Sequence, residues 1–550
     1  MDVPAMKKYH LFWIIPCSLF LAIFLASLIG HLISPVPSKK LVTKTKAKKV
    51  LTEKELEEDL DYLKYYMTTM YCGYPEMVEK GYDIDKIIAD IKKDCDKDKH
   101  GKTYDSSTLI AAAEKHIIKN HAIEDQHFAI GSSSKFPYYL YYSDIYVDAI
   151  EKDGKTKYIV VKNERENLPE KRIKALGKYV PADVQPGQEY TGPENMLFEW
   201  FDGNKKIYRL GTLSRQNLNN LILSFDDKKV TVPVITNNRL DTAGKLQGMR
   251  ETKDTLYISL VNFVFEGGSV MGEQEFKTLC ENAKNKSIGK KQVIIDLRSN
   301  GGGEIWRAAM LYTYLFYNQT ENISYDLISF VSNMIDDGEY TVMSPDFAKW
   351  KIYFSFKNTK EKIKKFKFRK KAKETETDFK RYEKEQITVR NRQMFWPCIA
   401  ELIYPYQATI KYKTLKSKIT ELPPADFSGD IYILTDRYSA SCSEYSVAFL
   451  NALAENANVK IHHLGENTQG AVYYINPFSL GLPNSGLWLY IPTARSHSEA
   501  FDNPSFHGEG YGWFPEYWVT HYNLLNTLNN LIDDPELENA LQGLEKWQLQ

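Results

Sequence analysis

The sequence predicts an α/β protein, and three patterns along the chain support this fold class. Between residues 51 and 119 apolar residues recur at helical spacing, whereas between 138 and 233 the period shortens to two. After residue 255, short apolar runs typical of buried strands alternate with helical runs. Because such alternation is typical of parallel strands joined by crossover helices, we expect this third region to form a core around a largely parallel sheet.

Length and charge limit the classes of protein that fit. The chain has 550 residues, and a prior of about 150 residues per domain gives three or four units, each large enough for its own core. Its 71 Lys and Arg residues equal its 71 Asp and Glu residues, so the formal net charge is zero. A nucleic-acid binder needs a basic surplus for its phosphate contacts. The composition therefore predicts no nucleic-acid partner.

The N-terminus predicts a membrane anchor. Residues 11–33 contain no Asp, Glu, Lys or Arg, and as a helix they would measure about 34 Å, enough for a hydrocarbon core of about 30 Å. A cleaved secretory signal usually has a shorter apolar region, so we expect an uncleaved transmembrane helix within residues 1–34, partnered with the membrane. Lys7 and Lys8 favour a cytoplasmic N-terminus, but six lysines between 39 and 49 favour the opposite orientation, so charge alone leaves the topology open.

Two units are expected between the anchor and the core. Residues 35–50 resemble a solvated tether rich in Lys and Pro, and residues 51–135 a small helical domain that begins with a capping box of Thr52 and Glu55. Residues 136–254 are predicted to be β-rich, with strands at 139–147, 157–161, 205–210 and 229–234. The run 171–184 is similar to part of a PDZ-like peptide-binding module but lacks that module's usual carboxylate-binding loop. A generic β-rich insert therefore remains an alternative.

The predicted α/β core spans residues 255–530. Strands are expected at 255–261, 292–298 and 430–436, and helices at 276–284, 305–317 and 443–454. An insertion at about 320–425 includes the Lys- and Arg-rich run 354–385, which is either an exposed amphipathic helix or a lid that contacts an anionic surface. Residues 531–550 are expected to form a C-terminal helix.

No cofactor is expected. The six cysteines form no CxxC pair and no zinc-type Cys/His spacing, and the chain has neither an HExxH motif nor a nucleotide-binding glycine loop. We therefore expect no metal and no organic cofactor.

Two strand-to-helix turns contain the candidate ligand-binding and catalytic residues. In residues 293–303, VIIDLRSNGGG, a strand ends in three glycines whose N–H groups suit an oxyanion or a phosphate, although a plain tight turn is equally compatible. In residues 431–450 a strand leads through Ser439, Ser441 and Ser443 into a helix. A serine at such a turn can expose its hydroxyl as a nucleophile, or it can simply cap the helix.

Together these turns resemble a known family. DLRSNGGG, then SCSE with its first serine 145 residues after Asp296, then GENTQG are similar to the three motifs of the tail-specific, or C-terminal processing, serine peptidases. The resemblance implies a ClpP/crotonase-like α/β core, preceded by the helical domain and the PDZ-like module. It covers residues 255–525 by motif and residues 51–254 more loosely by domain order.

The resemblance assigns roles by position. Ser441 falls on the family's nucleophile, and the backbone N–H groups of Cys442 and Gly302 on its oxyanion hole. The best-known members have a lysine base directly after the third motif, where this chain has Ala471. A Ser–Lys dyad is therefore not expected here.

A second branch of the family, similar to the tricorn protease core and the retinoid-binding-protein-like members, uses a histidine base from the helical region instead. In this sequence EDQHF supplies Asp125 and His127, and HGEGYGWFPE supplies Glu509. Imidazole has a pKa near neutrality, so it can serve as the base, while a carboxylate orients it. The implied site is Ser441, His127 and Glu509, with Asp125 in support.

Other histidines are weaker candidates. A single histidine is more often structural than catalytic, and His127 stands out because of the Asp125 that precedes it. His497 and His507 flank the segment that carries Glu509 and are the alternative bases. His462 and His463 lie on a predicted strand and are interpreted as structural.

The expected function is that of a membrane-anchored serine-type peptidase that hydrolyses peptide bonds of protein or peptide substrates. Because most members with an export segment act outside the cytoplasm, the resemblance places residues 35–550 there. The main alternative is a catalytically silent protein on the same fold that binds a peptide or a hydrophobic ligand, which the loss of the lysine favours. An acyl-CoA enzyme with the same oxyanion-type turn is a more distant alternative, because it has no use for Ser441.

Overall fold

A computed structural model describes most of the chain outside the N-terminus and the insertion. The described residues are 39, 42, 47–119, 123–131, 133–134, 137–163, 184–202, 205–226, 228–234, 248–264, 273–303, 305–316, 342–343, 427–456, 459–495, 501–519 and 524–541.

A six-stranded sheet forms the centre of the molecule, with the strand order β12-β13-β14-β16-β17-β20. Every neighbouring pair is parallel except the antiparallel edge pair β12–β13. The strands are β12 (Gly248–Glu251), β13 (Thr255–Ser259), β14 (Gln292–Asp296), β16 (Asp430–Thr435), β17 (Ile461–Gly465) and β20 (Tyr517–Trp518). The predicted α/β core with a largely parallel sheet is confirmed.

Helices cover both faces of this sheet. Ile295 and Ile433 pack with the helices on one face, whereas Ile294 and Tyr432, one position earlier on each strand, pack with those on the other. Because successive side chains of a strand point to opposite faces, both sets are buried and the strands are apolar throughout. The first face carries α5 (Glu273–Ser287), α6 (Ile305–Phe316) and α7 (Cys442–Asn456), and the second α8 (Leu524–Leu531) and α9 (Leu537–Ala540).

The helical region shares its core with a hairpin from the far end of the chain. The hairpin β18–β19 pairs with β3, and its Leu480 and Leu489 pack among the helical side chains. The fully buried Asp59 carboxylate accepts the N–H groups of Asn484 (2.9 Å) and Ser485 (2.7 Å) at the hairpin turn. The elements are β1 (Val50–Thr52), α1 (Glu53–Thr69), α2 (Tyr74–Glu79), α3 (Ile84–Lys97), β2 (Thr103–Asp105), α4 (Ser106–Ala113) with a π-helical continuation (Glu114–Lys119), β3 (Ala129–Ile130), β4 (Ser133–Ser134), β15 (Val342–Met343), β18 (Tyr474–Gly481) and β19 (Trp488–Arg495).

The capping box at the start of α1 is present. The Thr52 side chain accepts the backbone N–H of Glu55, and the Glu55 carboxylate accepts the backbone N–H of Thr52 at 2.8 Å. This reciprocal pair satisfies two of the N–H groups that a helix leaves without an internal partner. The sequence pattern therefore locates the helix start correctly.

A seven-stranded antiparallel sheet forms the β-rich region, with the order β11-β10-β7-β6-β5-β9-β8. It contacts the core beside Glu509: the N–H of Tyr138 donates to the carbonyl oxygen of Gly510 at 2.9 Å, and the rings of Phe198 and Trp518 meet edge to face. Its strands are β5 (Tyr139–Lys152), β6 (Lys155–Asn163), β7 (Glu189–Tyr190), β8 (Leu197–Asp202), β9 (Lys205–Ser214), β10 (Asn220–Phe225) and β11 (Lys228–Pro233).

Several expectations fall on residues outside the described part of the chain. These are the anchor at 11–33, most of the run 171–184, the basic run 354–385 and nearly all of the insertion at 320–425. Within the part that is described, no helix combines the length and the apolar character needed to cross a membrane. Near the C-terminus, where a helix was expected at 531–550, the described helices are α8 and α9, and residues 542–550 are not described.

Candidate active site

The turn after β14 is braced by a buried ion pair. Nε and Nη2 of Arg298 donate to the two carboxylate oxygens of Asp296 at 3.0 and 2.8 Å, and the Tyr257 hydroxyl donates to the same carboxylate at 2.6 Å. All three residues are almost fully buried. The charged residues of the DLR motif thus satisfy each other inside the protein, which a buried pair requires. They shape the turn and do not face a substrate.

The turns after β14 and β16 are joined by hydrogen bonds. The N–H and the hydroxyl of Ser299 both donate to the Asp436 carboxylate at 2.8 Å, and the N–H of Ala440 donates to the carbonyl oxygen of Asn300 at 3.0 Å. The carboxyl ends of neighbouring parallel strands meet at one edge of the sheet, which is where ligand sites of open α/β sheets form. The two sequence motifs therefore make one surface.

The structure distinguishes the three serines that sequence position leaves equivalent. The Ser439 hydroxyl donates to the carbonyl oxygen of Leu297 and the Ser443 hydroxyl to that of Asn300, both at 2.8 Å, and both side chains are fully buried. Ser441 is half-buried, and its hydroxyl makes no hydrogen bond to any described residue. Only Ser441 therefore has a hydroxyl that is available to a ligand.

Ser441 also has an uncommon backbone conformation. Its φ of 54° lies in the left-handed region, which costs free energy for a residue with a Cβ. It precedes α7, and its carbonyl oxygen accepts the N–H groups of Glu444 (2.8 Å) and Tyr445 (3.1 Å). The side chain thus stands at a helix N-terminus, where backbone dipoles favour negative charge.

The loop carrying Gly302 packs directly against this serine. A Cβ at Gly302, whose φ is 95°, would lie 2.6 Å from the carbonyl oxygen of Ala440 and 2.8 Å from the N atom of Cys442, so only glycine fits. Its N–H, however, donates to Oδ1 of Asn300 at 2.9 Å. The Gly302 N–H that we expected to face an oxyanion is therefore engaged within its own loop. An incoming carbonyl oxygen would have to share or replace that bond.

The buried Glu444 carboxylate connects the nucleophile turn to the third motif. One oxygen accepts the Thr468 hydroxyl (2.6 Å) and the N–H of Gly470 (2.7 Å), and the other accepts the N–H groups of Ser441 (2.9 Å) and Ala471 (2.7 Å). Burial raises the pKa of Glu444 to about 7, although these four bonds favour the ionised form. The link between Glu444 and residues 468–471 could not be predicted from the sequence.

Ala471 occupies the position where the best-known family members have a lysine. The N–H of Ala471 donates to the Glu444 carboxylate, and Ala471 is only 2 % exposed. The methyl group is therefore packed inside the protein, and no cationic side chain reaches the site from this position.

Asp125, His127 and Glu509 lie together although they come from opposite ends of the chain. One ligand atom from each residue lies within 4.8 Å of the others. Oδ1 of Asp125 accepts the backbone N–H groups of His127 (2.6 Å) and Phe128 (3.2 Å), so it also shapes the turn that presents the imidazole. The pairing of β3 with β19 fixes the chain two residues later.

Glu509 is held by backbone N–H groups from two segments. One oxygen accepts the N–H of Gln126 at 2.8 Å, and the other accepts those of Val472 (3.1 Å) and Tyr473 (2.9 Å). Burial and the nearby charge of Asp125 raise the pKa of Glu509 to about 8. One imidazole and two carboxylates could also bind a divalent cation, but five backbone N–H groups already bind three of the four carboxylate oxygens.

Consecutive N–H groups link the two carboxylates. The N–H of Ala471 binds Glu444, and those of Val472 and Tyr473 bind Glu509. Because neighbouring residues of one extended segment contact both, the start of α7 and the imidazole segment belong to a single hydrogen-bonded assembly. Residues 471–473 thus link the Ser441 turn to the segment that carries His127, through hydrogen bonds to Glu444 and Glu509.

The other predicted histidines have different surroundings. His507 is exposed and stacks on Phe514, with ring centres 3.6 Å apart, and His497 lies outside the described residues. His462 lies 3.4 Å from the Glu516 carboxylate on the core sheet. His463 is buried against the Thr435 hydroxyl at 2.7 Å, and burial lowers its pKa to about 3.

Comparisons with known proteins match the core of the chain to one family model. Residues 254–508 match the model described as Peptidase family S41. No curated protein matches the chain. Among solved structures, mature CPAF complexed with lactacystin is 12% identical, with a TM-score of 0.38 over 90% of this chain and 99% of that chain. The photosystem II D1 C-terminal processing protease is 11% identical, with a TM-score of 0.30 over 90% of this chain and 98% of that chain.

We expect the two raised carboxylate pKa values to make folding stability depend on pH. In the folded chain the pKa of Glu444 is about 7 and that of Glu509 is about 8, whereas the ordinary value is 4.5. Both groups therefore bind a proton more tightly in the folded than in the unfolded chain. Their contribution to stability is complete below pH 4.5 and is lost as pH rises through 7 and 8. The midpoint of thermal unfolding, measured between pH 5 and 9, should therefore fall less steeply in a Glu444→Gln, Glu509→Gln double variant.

The matched control for this measurement is Glu57→Gln, which removes a surface carboxylate whose side chain is 56% exposed. In this control, the midpoint of thermal unfolding should fall with pH as steeply as in the wild-type chain. An unchanged slope in the double variant would show that neither carboxylate titrates in this range.

Proposed function

We propose that the chain, whose residues 254–508 match the model described as Peptidase family S41, is a serine-type peptidase with Ser441, His127 and Glu509 as its catalytic site. The substrates we propose are proteins or peptides, hydrolysed at a peptide bond. One observation carries the assignment: of the three serines at the turn, Ser441 alone combines a left-handed backbone with a hydroxyl free of hydrogen bonds to described residues.

In the proposed first step Oγ of Ser441 attacks the carbonyl carbon of the scissile bond while His127 takes its proton. The strained turn supports this role, because it places a half-buried serine directly before the start of α7. One hydrogen bond to Glu444 holds the backbone N–H of Ser441 in the strained conformation, and the other three fix the carboxylate to residues 468–471. Glu444 acts through Ser441 and is a positioning residue.

His127 is proposed to serve as base and then as acid. After it has taken the Ser441 proton, the imidazolium lies near the carboxylates of Glu509 and Asp125 and is stabilised by them. It then returns the proton to the leaving amine as the C–N bond breaks. A water molecule, deprotonated by the same imidazole, hydrolyses the acyl-enzyme and restores the Ser441 hydroxyl.

The oxyanion of the tetrahedral intermediate is proposed to bind the N–H groups of Cys442 and Gly302. Cys442 is the first residue of α7, so its N–H adds to the favourable field of the helix N-terminus. Gly302 contacts this position but donates to Asn300, and we propose that the oxyanion replaces Asn300 as acceptor.

We also propose that residues 11–33 anchor the chain in a membrane and that the catalytic body lies outside the cytoplasm. Supporting the anchor is the 23-residue stretch without Asp, Glu, Lys or Arg. For the β-rich region, a PDZ-like role in holding a peptide remains a proposal, favoured by its contact with the segment that carries Glu509.

We expect a fluorophosphonate probe to label the full-length protein at Ser441. Ser441→Ala should abolish labelling, because it removes the proposed nucleophile. The matched controls Ser439→Ala and Ser443→Ala should keep the labelling per folded molecule, although each leaves a buried carbonyl oxygen without its hydroxyl and should cost about 1–3 kcal/mol of stability.

In-gel fluorescence quantifies the labelling, and circular dichroism confirms folding. Labelling that persists in Ser441→Ala would assign the reactive hydroxyl elsewhere. A folded wild-type chain that takes up no probe would support the catalytically silent binding protein.

We expect His127→Ala to lower kcat for peptide hydrolysis by roughly 10²- to 10⁴-fold, the usual contribution of a positioned acid–base group. KM should change little, since the imidazole is proposed to act on the proton and not to bind the substrate. The control is His507→Ala, two residues from Glu509 but exposed and stacked on Phe514. If His507→Ala instead caused the larger loss, His507 would be the base.

We expect deletion of residues 1–34 to move the chain from the membrane fraction to the soluble fraction of cells. Deletion of the tether 35–50 should leave it in the membrane. Protease added to intact cells should degrade the body, because it is proposed to lie outside the cytoplasm. Equal membrane fractions for the two deletions would exclude the anchor, and a protected body would place it inside.

A further inference from the structure

Arg215 lies beside the segment that carries Glu509, at the end of β9. A Cβ placed on Gly510 would lie 2.7 Å from Nη2 of Arg215 and 3.3 Å from Nε2 of Gln126. Gly510 follows Glu509, and Gln126 precedes His127. The donors of a guanidinium and of a side-chain amide thus converge next to the proposed acid–base group.

The guanidinium has no hydrogen-bond acceptor among the described residues. Its Nε is buried and makes no hydrogen bond, and no ion pair to a described carboxylate involves Arg215. The nearby Glu124 carboxylate pairs with Lys80 at 2.9 Å. A buried donor without a partner costs free energy, because the desolvation of the group is not compensated. Arg215 therefore has donors to offer to a ligand.

Two tyrosine rings hold the guanidinium in place. Arg215 lies over the ring of Tyr138, 4.8 Å from its centre, and Tyr138 stacks on Tyr511 with ring centres 3.7 Å apart. The N–H of Tyr138 donates to the carbonyl oxygen of Gly510. The cation is thus fixed by stacking, which leaves its N–H fork unused. All three side chains are only partly buried, so a ligand can reach them.

We propose that Arg215 binds a carboxylate of the peptide substrate beside the scissile bond. This inference rests on the proposed function, because it places the peptide across Ser441 and His127. A guanidinium presents two parallel N–H groups that match the two oxygens of a carboxylate, and in a partly desolvated site such a pair is strong and selective. The carboxylate comes from an Asp or Glu side chain or from the free C-terminus of the peptide.

The neighbouring residues make the site selective for an anion. Arg215 presents its donors at Gly510, where Nε2 of Gln126 already donates to the carbonyl oxygen of Glu124 at 2.8 Å, and the only strong positive charge in this group of residues is that of the guanidinium. A neutral amide in the same place would use one donor of the fork and leave the charge without compensation. Peptides with a carboxylate should therefore be preferred over their amide counterparts.

Binding to a full-length Ser441→Ala chain tests the proposal without requiring turnover. The probes are four versions of one fluorescein-labelled peptide: with an internal Glu or Gln, and with a free or an amidated C-terminus. Fluorescence anisotropy gives Kd for each, and hydrolysis by the chain with an intact Ser441 gives kcat and KM. We expect one carboxylate to tighten binding about 10- to 100-fold, the size of a charge-assisted hydrogen-bonded pair.

Arg215→Met should remove that preference, raising Kd and KM for the carboxylate peptide about 10- to 100-fold while the amide peptide is unaffected. The methionine keeps an apolar stem against the Tyr138 ring. Arg215→Lys keeps the charge without the planar fork and should retain part of the preference. Lys228→Gln, which removes an exposed charge from β11 of the same sheet, is the control for overall charge.

The Glu/Gln pair and the free/amidated pair identify which carboxylate is bound. If Arg215→Met weakens all four peptides equally, Arg215 is a structural brace and the proposal is overturned. It is also overturned if the wild-type residue gives no preference in either pair. If the chain with Ser441 intact hydrolyses none of the peptides but binds them with an Arg215-dependent preference for a carboxylate, the proposed function is contradicted and the carboxylate site is supported.

Discussion

The four hydrogen bonds of the Glu444 carboxylate are the interaction on which the site depends. They join the N–H of Ser441 to residues 468–471, two segments that are separate in sequence and lie on neighbouring strand ends of the core sheet. A carboxylate removed from water loses hydration, and only bonds to such donors compensate for it. All four donors point at Glu444, so a side-chain amide in its place would always direct its NH₂ at two of them. The left-handed Ser441 is stable because this anion holds its backbone.

The same segment then reaches the acid–base group. The N–H groups of residues 470 and 471 bind Glu444, and those of 472 and 473 bind Glu509, whose other oxygen accepts the N–H next to His127. The two carboxyl groups are thereby fixed relative to each other by adjacent residues of the loop before β18. The helical region, in turn, can present His127 only because β3 pairs with β19 and Asp59 holds the hairpin turn. Residues about 400 positions apart in sequence therefore share one core.

How far the sequence predicts this arrangement depends on the range of the interactions. The strands of the core and the capping box of α1 follow from local patterns, and both are present. The choice among Ser439, Ser441 and Ser443 needed the family motif, because all three occupy the same kind of turn. What could not be predicted is long-range: the engagement of Gly302 by Asn300, the four partners of Glu444, and Arg215, which belongs to no motif. Spacing along a chain does not specify which donor meets which acceptor after folding.

On the proposed assignment, the carboxylates around His127 explain why this chain can work without a lysine. Before proton transfer, burial and the charge of Asp125 raise the pKa of Glu509 to about 8, and each of the two carboxyl groups has an oxygen within 4.8 Å of an imidazole nitrogen of His127. After proton transfer the imidazolium is close to both carboxyl groups, and its positive charge attracts them and favours their ionised forms. The environment is thus more favourable for the charge distribution after the transfer than before it, which is the condition for lowering a barrier and not merely binding a substrate. A lysine at position 471 would have to lose its proton to act as a base, whereas the buried methyl group of Ala471 leaves the proton transfer to the histidine.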